Sequence, residues 1–293
     1  MSLFGLWSAS SGMRAQQTSV DIAANNLANT NTVGFQRSRG DFQDLLVERL
    51  DPSGGGLLRG DDTLHANSVG AGQGLEASKL MIEQGALRAS NEPTSVAIDG
   101  IGFFQVRQPN GQTAYTRDGS FRIDSNGDVV DHHGSHLLVQ PPGGGAVAPL
   151  NVAQVVNGFP VPAEDLRIDT NGAITGKFPG ANPADPPTVF GTVQLSRFVN
   201  PQGLVNIGAN LFAVSANSGA AITGLPGTGT QDAPGAPLLQ FGQVWQKFLE
   251  ASNVDMGEEL SGVIVAQRSY QMNLKSLQMA DEMWQLANTM KRS

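Results

Sequence analysis

The C-terminal stretch of the chain, residues 253–293, places the strongest constraint on the fold. It contains no proline, and no glycine after Gly262, so it predicts one long helix. Apolar residues recur every seven positions in two series: Val263, Tyr270, Leu277 and Trp284, and Val265, Met272, Met279 and Leu286. At ~3.6 residues per turn, the offset of two residues places the two series about 200° apart. A helix that is apolar on opposite faces is typical of one covered on both sides, so we expect it to pack between several other helices.

The composition limits the classes of function. The chain has 293 residues, with 26 acidic and 18 basic side chains and a net charge of −8. This balance argues against nucleic-acid binding, which needs a basic surface. The sequence contains no run of 18 apolar residues, so direct membrane insertion is not expected, and the N-terminus lacks the pattern of a cleavable secretory signal. The absence of cysteine excludes disulfides and thiolate sites.

Residues 3–27 predict a second helix with a coiled-coil-like seam, because small and apolar residues alternate at spacings of three and four. The seam residues are Leu3, Leu6, Ser10, Met13, Gln17, Val20, Ala24 and Leu27. Arg14 and Asp21 are the only charged residues among the first thirty. Solvated helix faces normally carry Lys and Glu. The pattern therefore favours a helix covered by neighbouring subunits, and a frayed terminal helix is the alternative.

Two stretches rich in Asn and Gly follow this helix. The sequence NNLANTNTVGF at residues 25–35 predicts a helix end and a turn, because Asn and Gly tolerate left-handed backbone conformations. Residues 51–74 are Gly-rich and polar and predict a loop or a loosely paired ribbon. A loop of this length usually has a function or an assembly contact.

The middle of the chain predicts β-structure. Short strands are expected at residues 96–98, 103–106, 114–116 and 121–123, and again at 189–198 and 211–214. The sequence PNG at residues 109–111 predicts a hairpin turn. An internal echo supports this interpretation, since FRIDSNG at residues 121–127 recurs as LRIDTNG at residues 166–172. Each copy is expected to be a strand that runs into an Asn-Gly turn.

The chain returns to helix after a polar stretch. Residues 215–237 are rich in Gly, Pro, Ser and Thr and predict a surface loop or linker. Four large apolar residues lie within residues 241–249, just before the final helix. Ser252 or Asn253 can cap that helix, and its acidic start and basic end complement the helix dipole.

The fold class predicted from this order is α+β. The N- and C-terminal helices are expected to pair in a coiled-coil-like layer, and the middle is expected to be an all-β domain of hairpins. Neither terminal helix has an obvious partner in the β region, so pairing the two ends is the economical arrangement. The predicted domains are a helical core domain (residues 1–35 with 252–293), a connecting segment (36–74 with 238–251) and a β-rich domain (75–237).

No pattern in the sequence predicts an active site. The sequence HHGSH at residues 132–136 is metal-like, but Gly134 and the flanking apolar residues favour the tip of a hairpin. The sequence DSNGD at residues 124–128 lacks the spacing of a calcium loop and is better explained as a turn. No Ser/His/Asp arrangement has local support, and no cofactor motif is present.

Several motifs together resemble the bacterial flagellar axial proteins, the rod and hook family. NNLANTNTVGF at residues 25–35 is similar to the family's N-terminal signature. SNVDMGEEL at residues 252–260, followed by QRSY at 267–270, is similar to its C-terminal signature. IDGIGFF at residues 98–104 and YTRDGSF at 115–121 match its β-domain motif. The matches span nearly the whole chain, and their joint occurrence in this order is highly specific.

Within the family, the resemblance is to the distal rod branch. Residues 47–74 correspond in position and length to a segment that the distal rod protein has and the hook protein lacks, and which the family ties to a straight, stiff rod. Two departures are present. The segment is Gly-rich here, and the chain has Gln246-Lys247 where the family usually has Gln-Gly.

The resemblance implies an assembly and no reaction. Family members form a helical tube, in which paired terminal helices line an inner core around a channel and β domains face outward. The expected partners are copies of the same chain, other flagellar rod and hook proteins and rod-surrounding ring proteins, with no cofactor. The expected location is the periplasm-spanning rod of the basal body, reached through the flagellum's own export apparatus. The terminal segments are expected to fold on polymerisation, because an isolated helix pair gains too little packing to offset its ordering entropy.

The residues expected to carry assembly lie in the two signatures and along the two helices. They are Leu3, Leu6, Met13, Val20, Asn25, Asn26, Leu27, Asn29, Gly34, Phe35, Ser252, Asn253, Val254, Val263, Tyr270, Leu277 and Trp284. Within the family, the alternatives are a proximal rod protein or a hook protein. Outside it, they are a hydrolase or carbohydrate-binding β protein with helical appendages, and a secreted adhesin-like binding module.

Overall fold

The computed structural model describes residues 3–44, 47–49, 68–70, 72–156, 159–179, 186–230 and 239–292. The chain divides into two compact units. The helical unit comprises Met1–Ala28, Ser38–Lys79 and Asp255–Ser293, and the β unit comprises Asn29–Arg37 and Leu80–Val254. No helix in the described ranges is long and apolar enough to cross a membrane.

Two antiparallel helices form the centre of the helical unit, which confirms the predicted pairing of the chain ends. Helix α1 spans Leu3–Ala28 and helix α2 spans Met256–Arg292. Asn26 donates a hydrogen bond to Glu259 at 3.0 Å, and a Cβ placed on Gly12 would lie 2.8 Å from Nδ2 of Asn273. This register brings the start of α1 level with Glu282, so about ten residues of α2 extend past α1, roughly 15 Å at 1.5 Å per residue.

The face of α1 that is buried within the unit consists of small residues. Its buried residues among those described are Ala9, Gly12, Ala15, Ala23 and Asn26. The predicted seam lies about 100° away, since Ser10, Met13, Ala24 and Leu27 each follow a buried residue by one position. Along that seam Met13, Val20 and Leu27 are half-buried and Gln17 and Ala24 are exposed. The side chains of Leu3 and Leu6 lie outside the described residues.

A short ribbon packs on α1 in the same unit. Strand β1 (Ser38–Asp44) pairs with β4 (Gln73–Leu80), and β2 (Val47–Arg49) pairs antiparallel with β3 (Ser68–Gly70). A Cβ on Gly72 would overlap Oγ of Ser11, so glycine permits this close approach to α1. Nζ of Lys79 donates to the Asp41 carboxylate at 2.6 Å and lowers the pKa of that carboxyl. Most of the predicted 51–74 loop lies outside the described residues.

The cap of helix α2 lies two to three residues later than the sequence indicated. Asp255 is its cap, because Oδ1 of Asp255 accepts hydrogen bonds from the backbone N–H groups of Gly257 at 2.7 Å and Glu258 at 3.1 Å. The prediction that Ser252 or Asn253 caps the helix was wrong. Asn253 is engaged elsewhere, with its Oδ1 accepting from the backbone of Arg37 at 2.7 Å.

The β unit contains twenty-one short strands in the described residues, numbered here in chain order. The first ten are β5 (Leu87–Ala89), β6 (Val96–Asp99), β7 (Phe103–Arg107), β8 (Thr113–Thr116), β9 (Arg122–Ile123), β10 (Val129–Val130), β11 (His136–Gln140), β12 (Ala148–Pro149), β13 (Ala153–Val156) and β14 (Phe159–Pro162). The others are β15 (Glu164–Ile168), β16 (Ala173–Lys177), β17 (Thr188–Val193), β18 (Leu195–Arg197), β19 (Val205–Gly208), β20 (Leu211–Ala213), β21 (Ile222–Gly224), β22 (Gly229–Thr230), β23 (Leu239–Gln240), β24 (Gln243–Gln246) and β25 (Phe248–Glu250).

Thirteen of these strands form one antiparallel sheet within the described part of the chain. Its main path runs β15-β16-β17-β11-β7-β8-β20-β19, and β9, β10, β12, β18 and β21 branch from it. Outside it, β24 pairs with β6 and β25 pairs with β5. Two apolar clusters fill the unit. One is centred on Ile98, Phe104 and Leu195, and the other on Phe103, Tyr115 and Phe198, where burial raises the pKa of Tyr115.

The predicted hairpins are confirmed. Strands β7 and β8 are joined at Pro109-Asn110-Gly111, with Gly111 at a φ of 84°. The echoed turns share one geometry, since Gly127 and Gly172 have φ values of 81° and 79° and each donates to an aspartate carbonyl three residues earlier at 2.8 Å. The prediction of a plain loop at residues 215–237 was wrong in part, because β21 joins the large sheet through β18. Residues 231–238 lie outside the described ranges.

Lys247 holds a backbone conformation that favours glycine. It separates β24 from β25 with a φ of 62°, and its backbone N–H donates to the carbonyl of Ser95 at 2.8 Å. A left-handed conformation costs a side-chain-bearing residue about 1–2 kcal/mol, because Cβ crowds the following carbonyl. The position is the one where the resembling family usually has glycine.

We expect Lys247→Gly to raise the free energy of unfolding by about 0.5–1 kcal/mol, since relief of Cβ crowding exceeds the added entropy of the unfolded chain. Urea denaturation followed by circular dichroism measures this change. Lys247→Ala is the control, because it removes the same charge and keeps Cβ. Equal stability changes in the two variants would assign the effect to the charge and contradict the prediction.

Candidate assembly site

The N-terminal turn and the residues just before α2 meet in the β unit around one buried carboxylate. Glu250 is fully buried at the end of β25. Its Oε2 accepts from Nη1 of Arg117 at 2.9 Å, and its Oε1 accepts from the backbone N–H of Gly85 at 3.0 Å and from Nε2 of Gln36 at 3.3 Å. We call residues 33–37, 81–86 and 250–254 the junction. The carboxylate belongs to the third of these segments and bonds to the other two.

Asn253 ties the same three segments together with its side-chain amide. Its Nδ2 donates to the carbonyl of Met81 at 2.7 Å and to Oε1 of Gln36 at 3.0 Å. Its Oδ1 accepts from the backbone of Arg37 at 2.7 Å. Oε1 of Gln36 also accepts from the backbone of Glu83 at 3.2 Å. The two amides and the carboxylate therefore form one connected network, in which most lone pairs and N–H groups have partners.

Gly34 is required by the geometry of the turn. Its φ is 66°, and a Cβ there would lie 2.5 Å from the backbone nitrogen of Asp118. Its N–H donates to the carbonyl of Glu250 at 2.8 Å. The next residue, Phe35, is buried, and its carbonyl accepts from the backbone of Asn253 at 3.4 Å. The turn is thus part of the packed β unit.

Arg117 links the junction to the core of the β unit. Its Nη2 donates to the carbonyl of Gly100 at 2.8 Å, and its guanidinium lies 5.6 Å from the centre of the Phe103 ring. The guanidinium is 4% exposed and the carboxylate of Glu250 is 0% exposed, so neither charge is solvated. Removing one partner of such a pair leaves a buried charge without compensation, which is strongly destabilising.

The groups of the junction bond to one another, and this arrangement is structural. The HHGSH segment at residues 132–136, which the sequence showed as metal-like, forms a turn. Asp131 accepts from the backbone N–H groups of His133 at 2.7 Å and Ser135 at 2.8 Å, which closes the predicted hairpin tip between β10 and β11. Among the residues the structure describes, no group of three or more His, Asp or Glu side chains could hold a metal ion.

In the helical unit, the two apolar series on α2 have different surroundings. The first series lies on the side of α2 that meets α1, where Val263 and Leu277 are half-buried and Ala266 is buried. The second series is the open face of α2, defined as Val265, Met272, Met279 and Leu286. Its four side chains are between 57% and 64% exposed. The chain therefore covers the first series in part, at Val263 and Leu277, and leaves the second series uncovered.

A groove of about 730 Å³ lies where α2 runs past the start of α1. It is lined by Trp7 and Arg14 of α1 and by Leu277, Asp281 and Trp284 of α2, among others. Trp7 is 70% exposed and Trp284 is 52% exposed. Two large aromatic side chains at this end of the helix pair thus remain in contact with solvent.

The structure separates the predicted assembly residues into two groups. Asn29, Gly34, Phe35, Ser252, Asn253 and Val254 lie in the β unit, at or beside the junction. The others lie in the helical unit. Among these, Asn26 is 1% exposed and bonds to both Ser38 and Glu259, whereas Asn25 is exposed. Tyr270 is at the border of exposure, at 37%.

Four functional residues were not predicted from the sequence. They are Gln36, Gly85 and Glu250 of the junction, and Arg117, which pairs with Glu250. Arg117 and Glu250 are separated by 133 positions, so no local pattern pairs them. One local feature of the sequence could have indicated a buried charge. Glu250 is an acidic residue that directly follows the apolar pair Phe248-Leu249, before the C-terminal signature. A charge in such a setting suggests a buried partner but does not identify it.

We expect Glu250→Gln to lower the free energy of unfolding by about 3–5 kcal/mol, because it leaves the Arg117 guanidinium buried without a counter-charge. Arg117→Met combined with Glu250→Leu is expected to cost much less than the sum of the two single changes. Urea titration of the full chain measures each variant. A loss below about 1 kcal/mol for Glu250→Gln would contradict a closed, unsolvated pair.

Comparison with known proteins identifies three family models along the chain. Residues 6–36 match the "Flagella basal body rod protein" model, residues 97–176 the "Flagellar hook protein FlgE/F/G D1 domain" and residues 246–290 the "Flagellar basal body rod FlgEFG protein C-terminal" model. The first and last models include the turn and the junction residues before α2. A solved structure of the Helicobacter pylori hook protein FlgE2 matches with a TM-score of 0.21 at 16% identity, over 59% of this chain and 39% of that one, which is too weak for a structural conclusion.

Curated relatives match over nearly their whole length. The flagellar basal-body rod protein FlgG of Borreliella burgdorferi is 38% identical over 98% of both chains, and that of Caulobacter vibrioides is also 38% identical over 98% of both. The hook protein FlgE of Helicobacter mustelae matches 45% of this chain and 29% of its own length. The relatives place the chain in the flagellar basal body, as a structural protein rather than an enzyme. The chain belongs to the FlgG family of flagellar basal-body rod proteins, the structural proteins of the distal rod.

Proposed function

We propose that the chain assembles with copies of itself into a helical tube that transmits torque from the motor to the hook. The observation that carries this proposal is the open face of α2, where Val265, Met272, Met279 and Leu286 form an exposed apolar row along about six turns. Large apolar side chains that recur along one exposed helix face, rather than singly, mark an interaction site. Met283 and Ile264 beside the row are exposed as well.

A second copy of the chain is the partner that best fits this face. The seam of α1, with Met13, Val20 and Leu27, is the complementary surface, because α2 and the ribbon cover a different side of α1. Its spacings of three and four suit knobs-into-holes packing, so we propose a coiled-coil-like contact between copies. A contact between two different surfaces repeats from copy to copy, and it produces an open helical filament when its rotation does not close into a ring.

We also propose a role in the tube for each of the three predicted domains. Residues 1–35 with 252–293 form the inner core of the tube, residues 36–74 with 238–251 connect it to the outside, and residues 75–237 form the outer domain. The predicted assembly residues act within this inner core. The connecting segment contains the rod-type loop of residues 51–74, for which we propose a stiffening role.

The chain is proposed to meet other rod and hook proteins at the ends of its own segment of the rod. Proteins of the rings that surround the rod are proposed to contact the outer domain. We propose export of the chain through the flagellar apparatus. Absence of cysteine agrees with a chain that travels unfolded and refolds without disulfides.

The helical unit is proposed to become fully ordered only in the polymer. The contact face of α1 consists mainly of Ala and Gly, so pairing with α2 buries little apolar area per residue. The ordering of two long helices costs about 1–2 kcal/mol of backbone entropy per residue. Cover of the open face of α2 by a second copy supplies the apolar burial that the single chain lacks.

Limited proteolysis of the purified monomer is expected to leave a fragment that starts near Asn29 and ends near Val254. The turn at residues 29–37 is retained because it bonds to the junction, whereas both helices are digested. Mass spectrometry of the surviving fragment locates its ends. Resistance of both helices in the monomer would contradict ordering on assembly and would leave the family membership unchanged.

We expect Met272→Glu to abolish polymerisation. The free energy of unfolding of the monomer is expected to stay within about 0.5 kcal/mol of the native value, because the side chain is solvated in the single chain. Electron microscopy and sedimentation of concentrated protein measure tube formation. Gln271→Glu is the matched control, since it adds the same charge at the adjacent exposed position of α2. Normal tubes formed by Met272→Glu, or equal loss in both variants, would count against the open face as the contact.

A further inference from the structure

One end of the large sheet is covered by a glutamine side chain. Strand β15 is the last strand on its side of the main path and pairs only with β16 among the described strands. Residues of β15 and β16, together with Gln246, line a groove of about 1010 Å³. An edge strand presents backbone N–H and C=O groups that can recruit a strand from another chain. In the β unit, Gln246 at the end of β24 reaches these groups.

The amide of Gln246 bonds to the backbone of β15 on both sides of Arg167. Its Nε2 donates to the carbonyl of Leu166 at 2.7 Å, and its Oε1 accepts from the N–H of Ile168 at 3.1 Å. Its second N–H donates to the carbonyl of Pro93 at 2.7 Å, which fixes the orientation of the amide. In a parallel sheet, one residue of a neighbouring strand uses the same pair of groups, which flank the residue opposite it.

The rest of this edge is closed by other means. The backbone N–H of Val244, two residues before Gln246, donates to the carbonyl of Thr170 at 3.2 Å. At the start of β15, Asp165 has a φ of 51° and the pairing register shifts between Glu164 and Arg167. Such irregularities interrupt the regular row of groups that an incoming strand needs. Leu166–Ile168 is therefore the regular stretch of β15, and Gln246 covers it.

The opposite end of the sheet is irregular, and its side-chain contact is local, since the backbone N–H of Gly208 donates to Oδ1 of Asn206 in the same strand at 2.8 Å. In β19 the register shifts between Asn206 and Gly208, and residues 208–210 all have positive φ values, between 55° and 92°. Backbone irregularity is thus present at both outer strands of the main path. The regular part of β15 is different because a side chain from another strand, Gln246 of β24, occupies its hydrogen-bonding groups.

We propose that Gln246 is an edge guard, whose amide occupies the backbone groups through which β15 would pair with a strand of a second copy. The guard prevents sheet-to-sheet association and leaves helix packing as the route by which copies meet. It goes beyond the proposed assembly contact, because it concerns a pairing that the chain avoids. The proposal is independent of whether α2 is the assembly surface.

The test uses the full chain with Gln246→Met, which keeps the length of the side chain and removes its hydrogen bonds. Gln243→Met is the matched control, since Gln243 is an exposed residue of the same strand. Both changes are made in the Met272→Glu background, so that association through α2 is suppressed and a failure of the helical contact is seen separately. Amide hydrogen exchange at Ile168 and sedimentation velocity at increasing concentration are measured.

We expect the Ile168 amide to exchange about tenfold faster in Gln246→Met than in the control, the factor that corresponds to the loss of one net hydrogen bond. We also expect concentration-dependent association for Gln246→Met alone. A folded Gln246→Met chain that exchanges at the control rate, or that remains as monomeric as the control, would overturn the proposal. If Gln246→Met loses its native circular dichroism, Gln246→Asn replaces it, since the shorter amide cannot reach both groups, and the same two outcomes decide.

Discussion

The buried ion pair between Arg117 and Glu250 is the interaction on which the arrangement of the β unit depends. A carboxylate without water needs donors from every side, and here they come from three segments that are far apart in sequence. The chain passes between its two units at four points, after residues 28, 37, 79 and 254, and each point lies within a few residues of the junction. Force that arrives through these covalent connections therefore reaches one hydrogen-bonded cluster rather than four independent loops.

The β unit could be predicted where its signals are local. Asn110-Gly111, Asn126-Gly127 and Asn171-Gly172 specify their own turns through backbone preferences that hold in any context, and all three turns are present. Strand β21 was missed because Ile222–Gly224 has the composition of a loop, and its strand conformation comes from pairing with β18. The Arg117–Glu250 pair could not be predicted, since nothing in either neighbourhood encodes a partner 133 residues away.

The helices show the same division between local and distant information. The two apolar series on α2 were visible because large side chains recur at a fixed period. The contact face of α1 was not visible in the sequence, because a search for regularly spaced apolar residues favours large side chains. Ala9, Gly12 and Ala23 are instead buried by a close approach of the helices. The cap of α2 was placed too early for a related reason. Asn253 is a good capping residue, but tertiary hydrogen bonds in the junction use its side chain, so Asp255 caps the helix.

The small residues on α1 have a mechanical consequence. A face made mainly of Ala and Gly carries few long side chains that interlock with a partner, so it resists sliding along the helix axis less than a face of large residues. Asn26 supplies the missing resistance, because its buried amide bonds to Glu259 on α2 and to the backbone of Ser38, and a shift by one turn would break these bonds. Asn26 therefore restrains the register of the helix pair near the end where the chain leaves α1, so resistance to sliding is supplied close to the connection with the rest of the chain.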